Sequence, residues 1–396
     1  MRKPLPRRLA VVREGKALIY IPDPRGAVAG GRFEPAWLEV FYNPLMEVNR
    51  DFSVMLASIL LSEMKGRYGL RVLDAHGGTG VRGIRYLLEA GAEEAIINDI
   101  SGEAAALAHL NARLNGVSDR VRVTVADANA LMYRLKRETP TPIALIDVDP
   151  YGSPAPFLHA SLDLAGHGAV VAATATDLAV LEGSRPWKAW RRYMVKVERT
   201  PAAREVAVRA LLGFMARVAA VFDKGIEPII SIYSRHFVRV IVRVYRGAGR
   251  ADKSLARVKP AYYCKNMGIV AFTPDCEGEA VEIGPLWAGA LGDADVASKV
   301  WSLALETPYL GSGRHVARIA SLLASEYPLS DGTIYYSIAG IASSLKKSMP
   351  SRKAVIDELK SMGYRAVETH FSPEGFRTDA PPRVVADVIA RLSPTN

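Results

Sequence analysis

VLDAHGGTGVRG, residues 72–83, carries an apolar run into an acidic residue and then straight into a turn of small residues. A strand over 70–74, this Gly-rich turn and a helix over 81–90 form the opening unit of a doubly wound sheet. Gly77, Gly78 and Gly80 let the backbone approach a ligand closely at the mouth of that sheet. Outward from this unit the pattern repeats. Strands are expected over 95–99, 121–126, 143–149 and 169–174, with helices over 103–114 and 205–222. Two more strands, 228–233 and 237–245, are too close in sequence for a crossover and must pair antiparallel. The expected fold is α/β: a mostly parallel Rossmann-like sheet with one antiparallel edge strand.

After Gly247 the texture changes. Residues 247–251 read as a turn or linker, and the segment to about 293 as loop-rich. Helices then recur over 297–305, 315–326, 334–345 and 352–362, and a strand over 366–370 precedes a Pro-rich loop. A domain boundary is therefore expected near residue 250, giving domains 1–250 and 251–396, the second also α/β.

The chain has 396 residues, 49% apolar and 23% charged, enough for a large core and unlike a disordered protein. Its longest stretch without a charged side chain, 332–345, falls short of the roughly 20 apolar residues that span a membrane, as does 164–176. Arg13 and Lys16 interrupt any apolar core behind the basic start, so no signal peptide is expected. Two cysteines cannot build a disulfide framework, and a cytoplasmic setting is the expectation. Lys and Arg number 51 against 41 Asp and Glu, a net +10. The excess is clustered at the start of the chain, over 185–217 and over 235–259, interleaved with Trp187, Trp190, Tyr193, Tyr233, Phe237, Tyr262 and Tyr263. Basic clusters mixed with aromatics point to nucleic acid, with Arg191 and Arg192 as candidate contacts.

Asp99, ending the second strand, stands where a carboxylate takes both ribose hydroxyls of an adenosine. Asp127 and Ala128, after the third, stand where an adenine edge is read. Nicotinamide and methionine-derived cofactors both use such positions. The fourth strand decides between them. IALIDVDPYGSP, 143–154, runs a buried strand directly into Asp149, Pro150 and Tyr151. Hydride transfer has no need of this arrangement, but methylation of an exocyclic amine on a flat base does. The amine's lone pair is delocalised into the ring. The Asp149 carboxylate and the Pro150 carbonyl can accept its two N–H bonds and aim the lone pair at a sulfonium methyl, while Tyr151 stacks on the base.

With FYNPLMEVNRD (41–51), YSRHFVRVIV (233–242) and HFSPEGFRTDAP (370–381), the DPYGSP motif resembles the tRNA (guanine-26, N2,N2) dimethyltransferases, archaeal type, from about residue 18 to 382. The resemblance implies a class I methyltransferase sheet, S-adenosyl-L-methionine as cofactor and tRNA as partner, with no obligate protein partner evident and a C-terminal domain that helps hold tRNA. The expected reaction transfers one or two methyls to N2 of guanine 26. By similarity Asp149 is the catalytic carboxylate, Pro150 the backbone acceptor and Tyr151 the stacking ring. Arg50 would hold the cofactor's carboxylate. Asp74, Gly78, Gly80, Arg82, Asp99, Asp127 and Ala128 would line its pocket, and Phe41 and Tyr42 would lie near the target base. Many relatives carry two Cys-x-x-Cys pairs; here the stretches read Cys264-Lys-Asn-Met267 and Cys276-Glu-Gly-Glu279, a poor zinc site. No metal is expected, and free thiols are expected over a disulfide. His76, His236 and His370 are given no catalytic role. The alternatives are an amine methyltransferase for ribosomal RNA or DNA purines, a nicotinamide-dependent dehydrogenase, and a non-enzymatic RNA-binding chaperone.

Overall fold

The computed structural model describes residues 8–29, 32–66, 69–138, 142–234, 236–274, 276 and 278–393, so the first seven residues and Arg235, parts of two basic clusters, lie outside them. Two strands not foreseen in the sequence, β1 (Leu9–Glu14) and β2 (Ala17–Pro22), form a hairpin ahead of helix α1 (Glu47–Met64). The doubly wound part then runs β3 (Arg71–Asp74), α2 (Val81–Glu89), β4 (Glu94–Asp99), α3 (Gly102–Leu114), β5 (Val121–Val125), α4 (Ala128–Glu138), β6 (Leu145–Val148), α5 (Ala155–Leu164) and β7 (Val170–Ala175). Helices α6 (Pro186–Tyr193) and α7 (Ala203–Ala220) lead to β8 (Lys224–Ser234) and β9 (Phe237–Arg246). These strands make one seven-stranded sheet in the order β8-β9-β7-β6-β3-β4-β5. β3 through β7 pair parallel, and the short β8–β9 connection supplies the antiparallel edge. β6 and β7 are buried along their whole length, which is why they read as continuous apolar runs.

The Gly-rich turn is shaped by contacts that admit no side chain. Gly80 has φ +80, and a Cβ there would meet the Cβ of Ala108 at 3.0 Å. At Gly83 a Cβ would lie 2.6 Å from Ile97 Cγ1, so α2 packs on β4 only because the position is bare.

By compactness the chain forms two units: 1–173 with 243–245 and 299–318, and 174–242 with 246–298 and 319–396. This partition differs from a single cut at residue 250, which falls inside a helix, Ala248–Leu255, where a linker was expected. The stretch read as loop-rich holds a three-stranded antiparallel sheet, with Val258–Cys264 between Ile269–Ala271 and Ala280–Trp287. The Pro-rich loop contains the strand Gly375–Thr378, central to a small sheet with Tyr336–Ser337 and Ala366–Glu368. Ile338, Ile341, Val355, Leu359, Phe376, Val385 and Ile389 fill the core of this part. Cys264 and Cys276 form a disulfide, which corrects the expectation of free thiols: the turn brings their Cα atoms to 5.5 Å, within bridging range. Among the described residues no helix is long and apolar enough to cross a membrane.

Candidate active site

Asp149 follows β6 with 15% of its side chain exposed, and Arg82 holds it from below. The Arg82 guanidinium, on the first turn of α2, pairs with Asp149 and lies 3.6 Å from Asp147. It also donates to Ser53 Oγ and Asn49 Oδ1, both at 3.0 Å. Burial opposes its charge, but Asp147 and Asp149 outweigh burial and raise its pKa. Arg82, expected against the cofactor, here meets Asp149, Ser53 and Asn49 and so holds the Asp149 carboxylate in place. Asp147 in turn accepts from the Tyr86 hydroxyl at 2.6 Å. Beside Asp149 the backbone turns at Gly152, φ +90, and Tyr151 stands 79% exposed. The Phe41 ring approaches it edge-on, centroids 6.0 Å apart, leaving two aromatic faces open beside one carboxylate.

The Gly-rich turn lies against the ends of the neighbouring strands. Gly77 N–H donates to the Asn98 carbonyl and Gly78 N–H to Asp99 Oδ2, at 2.7 and 2.9 Å. Asp99 is half-buried and its second oxygen accepts from Ser101 N–H. Asp127 accepts from Ala130 N–H at the start of α4, beside buried Ala128. Asn98, which no motif in the sequence marks, ties the loop together by donating to the carbonyls of Ala75 and Ala126. Asp74 is buried at the base of the loop, accepting from Gly83 N–H. Burial, opposed by Arg82 and reinforced by Asp147 across the strand pair, pushes its pKa up to about 7. The bare glycine turn, the half-buried Asp99 and the exposed Asp127 line the carboxyl ends of β3, β4 and β5, where a doubly wound sheet takes its ligand.

Two expectations meet a network that the sequence did not disclose. Glu14, on β1, takes the Arg50 fork at 2.6 and 2.7 Å and Arg85 Nη1 at 3.0 Å. Arg50 Nη2 also donates to the Asn43 carbonyl. The nitrogens expected to hold a cofactor carboxylate are therefore engaged by a carboxylate of the chain itself. Tyr42 is buried, its hydroxyl donating to Glu14 and its ring 5.2 Å from the Arg50 guanidinium. It offers no open face to a base, and of the expected aromatic pair Phe41 alone is exposed, at 43%.

In the other unit, the basic cluster over 185–217 divides by burial. Helix α6 exposes Lys188 and Arg191 with Trp187, itself 75% exposed, and Trp190. Arg192 pairs with Asp177 at 2.8 Å. Arg209 is fully buried and donates to the carbonyls of Trp287, Gly289, Ser330 and Thr333, so it bolts the core and reaches no partner.

A family model described as N2,N2-dimethylguanosine tRNA methyltransferase matches residues 26–390. The chain is 47% identical to the tRNA (guanine(26)-N(2))-dimethyltransferase of Aeropyrum pernix, covering 98% of both proteins. It is 36% identical to the protein of that name from Saccharolobus solfataricus, covering 94% of this chain and 96% of the relative. Among solved structures, Trm1 from Pyrococcus horikoshii in complex with S-adenosyl-L-methionine superposes with a TM-score of 0.84 at 32% identity, covering 96% of this chain and 99% of that one.

Proposed function

This chain belongs to the N2,N2-dimethylguanosine tRNA methyltransferase family, and on that premise we propose how its residues carry out methyl transfer to guanine 26 of tRNA. The enzyme transfers one or two methyls from S-adenosyl-L-methionine to the exocyclic N2 amine. Bound in the cradle above β3, β4 and β5, the cofactor supplies an electrophilic sulfonium methyl. Asp99 takes the ribose hydroxyls, and Asp127 with Ala128 reads the adenine edge. Guanine 26 sits inside folded tRNA and must be flipped out to reach the pocket. Tyr151 and Phe41, the two exposed rings, receive it. The Asp149 carboxylate and the Pro150 carbonyl accept the two N–H bonds of the amine and turn its lone pair toward the methyl. As the N–C bond forms, nitrogen loses a proton to Asp149, whose partly open side chain returns it to water. Arg82, Asn49 and Ser53 keep Asp149 in one orientation throughout.

The observation that supports this reading best is the Asp149 carboxylate, clamped by a buried arginine and flanked by an open tyrosine. We assign the first 250 residues to methyl transfer and 251–396 to helping hold tRNA alongside the basic cluster over 185–217, and place the enzyme in the cytoplasm with its substrate. Helix α6 is the basic and aromatic element offered to tRNA, with Arg191 free to meet phosphate and Arg192 partly committed to Asp177.

Incubation with labelled S-adenosyl-L-methionine and an unmodified transcript, followed by nucleoside analysis, tests the reaction. Dimethylguanosine is expected from the natural transcript and none from one carrying adenine at position 26. Label in both transcripts would sink the single-site assignment. Asp149→Ala should lower turnover by about 10²–10⁴-fold with tRNA affinity kept. Full turnover in that variant would remove Asp149 from the chemistry.

A further inference from the structure

One polar side chain of the Gly-rich turn has no part in the chemistry above. Both ring nitrogens of His76 are buried and make no hydrogen bond among the described residues. Buried polar atoms are paired almost everywhere in folded proteins, so two unpaired nitrogens on one ring beside the candidate site call for a partner. The ring is not loose. It packs edge-on against Phe157 of α5, centroids 4.4 Å apart, which clamps it between the turn after β3 and the segment after β6. The charged groups acting on it are Asp149, Asp99, Asp147 and Asp127, which are the carboxylates of the candidate site and its floor. Burial outweighs their pull and pushes the imidazole pKa down, leaving a neutral ring with one donor and one acceptor.

We propose that His76 is a binding residue for S-adenosyl-L-methionine, with its N–H and its lone pair both hydrogen-bonded to the bound cofactor. The inference rests on the reading of this cradle as the cofactor site. A neutral imidazole fits that ligand better than lysine or arginine would, because it offers polar contacts without setting a fixed positive charge beside the sulfonium. His76 feels both the carboxylate that works on the amine and those that hold the nucleoside, and both halves of the cofactor carry donors and acceptors for it.

Calorimetric titration of S-adenosylhomocysteine into the full-length wild type, His76→Phe and His76→Asn tests this. Phenylalanine keeps the ring contact with Phe157 and removes the polar atoms; asparagine keeps a donor and an acceptor. We expect His76→Phe to weaken binding about tenfold and His76→Asn to recover most of that loss. Without ligand, His76→Phe should resist denaturant as well as the wild type or better, since an apolar ring replaces unpaired polar atoms. Wild-type affinity in His76→Phe overturns the assignment, as does a parallel loss of stability and affinity that asparagine does not rescue. Unchanged S-adenosylhomocysteine affinity with weakened tRNA binding would move His76 to the target base and also overturn it. Failure of the wild type to bind would instead remove the cofactor reading of the whole cradle.

Discussion

Glu14 stands on a strand that carries none of the chemistry, yet it takes the fork of Arg50 and a nitrogen of Arg85. Burial by itself would raise its pKa, but the two guanidiniums bring it down from the ordinary 4.5 to about 2. A depressed carboxylate stabilises the fold above its unfolded pKa and loses that contribution as pH falls through the folded one. The window here is 4.5 down to 2, and the amount is roughly 3 kcal/mol. Glu14→Gln should therefore cost about 3–5 kcal/mol near neutral pH, because it takes the carboxylate from buried Arg50 while Arg85 keeps Asp51 and Glu89, and should fall less steeply than the wild type as pH drops. Denaturant titrations at pH 7 and pH 3 check this; parallel losses at both would refute it. Local reading could not reach this residue. Asp149 was legible because its whole setting lies in twelve consecutive letters, whereas Glu14 meets Arg50 and Arg85 only after the hairpin docks. The same distance hid the engagement of Arg50 and the burial of Tyr42.

At the scale of elements, the central sheet was readable where apolar runs end in glycine or acidic turns, as at 70–74 and 143–149. It failed where strands are basic and broken by proline. Val258–Cys264 reads VKPAYYC, with two exposed positions and a bulge, and so resembles loop. Gly375–Thr378 is only four residues long, too few for alternation to show although all four are buried. The disulfide staples the first of these. Cys264 ends Val258–Cys264 and Cys276 lies beyond the turn and Ile269–Ala271, so the bond closes a loop over a sequence separation of 12. Reduction, or Cys276→Ser, should cost about 2–4 kcal/mol in unfolding with S-adenosylhomocysteine affinity unchanged. Equal denaturation midpoints with and without reductant would deny the bond a stabilising role.

Over the whole molecule the net charge of +10 overstates the surface available to RNA, because arginine here serves two ends. Arg209 is spent on core carbonyls and Arg82 on the site floor, while Arg191 reaches solvent. Arg191→Gln should weaken tRNA binding and reduce the slope of log affinity against log salt by about one, with stability intact. Arg209→Gln should do the reverse, unfolding the protein before any change in salt slope. Filter binding across a salt series separates the two. Composition disclosed the excess of charge; burial alone divides it. The same scale governs how the chain is made. Asp51, deep in α1, accepts from both the backbone N–H and the hydroxyl of Ser312, within a unit that takes residues 299–318 as its own. A fragment ending at residue 250 should fail to unfold cooperatively and to bind S-adenosylhomocysteine; a sharp transition would disprove that. On the ribosome, at roughly 5–20 residues per second, the carboxylate, which meets Arg85 early, waits on the order of tens of seconds for Ser312 to emerge. The newborn protein must pass that interval with its first core unsealed, a window in which chaperones and proteases compete for it.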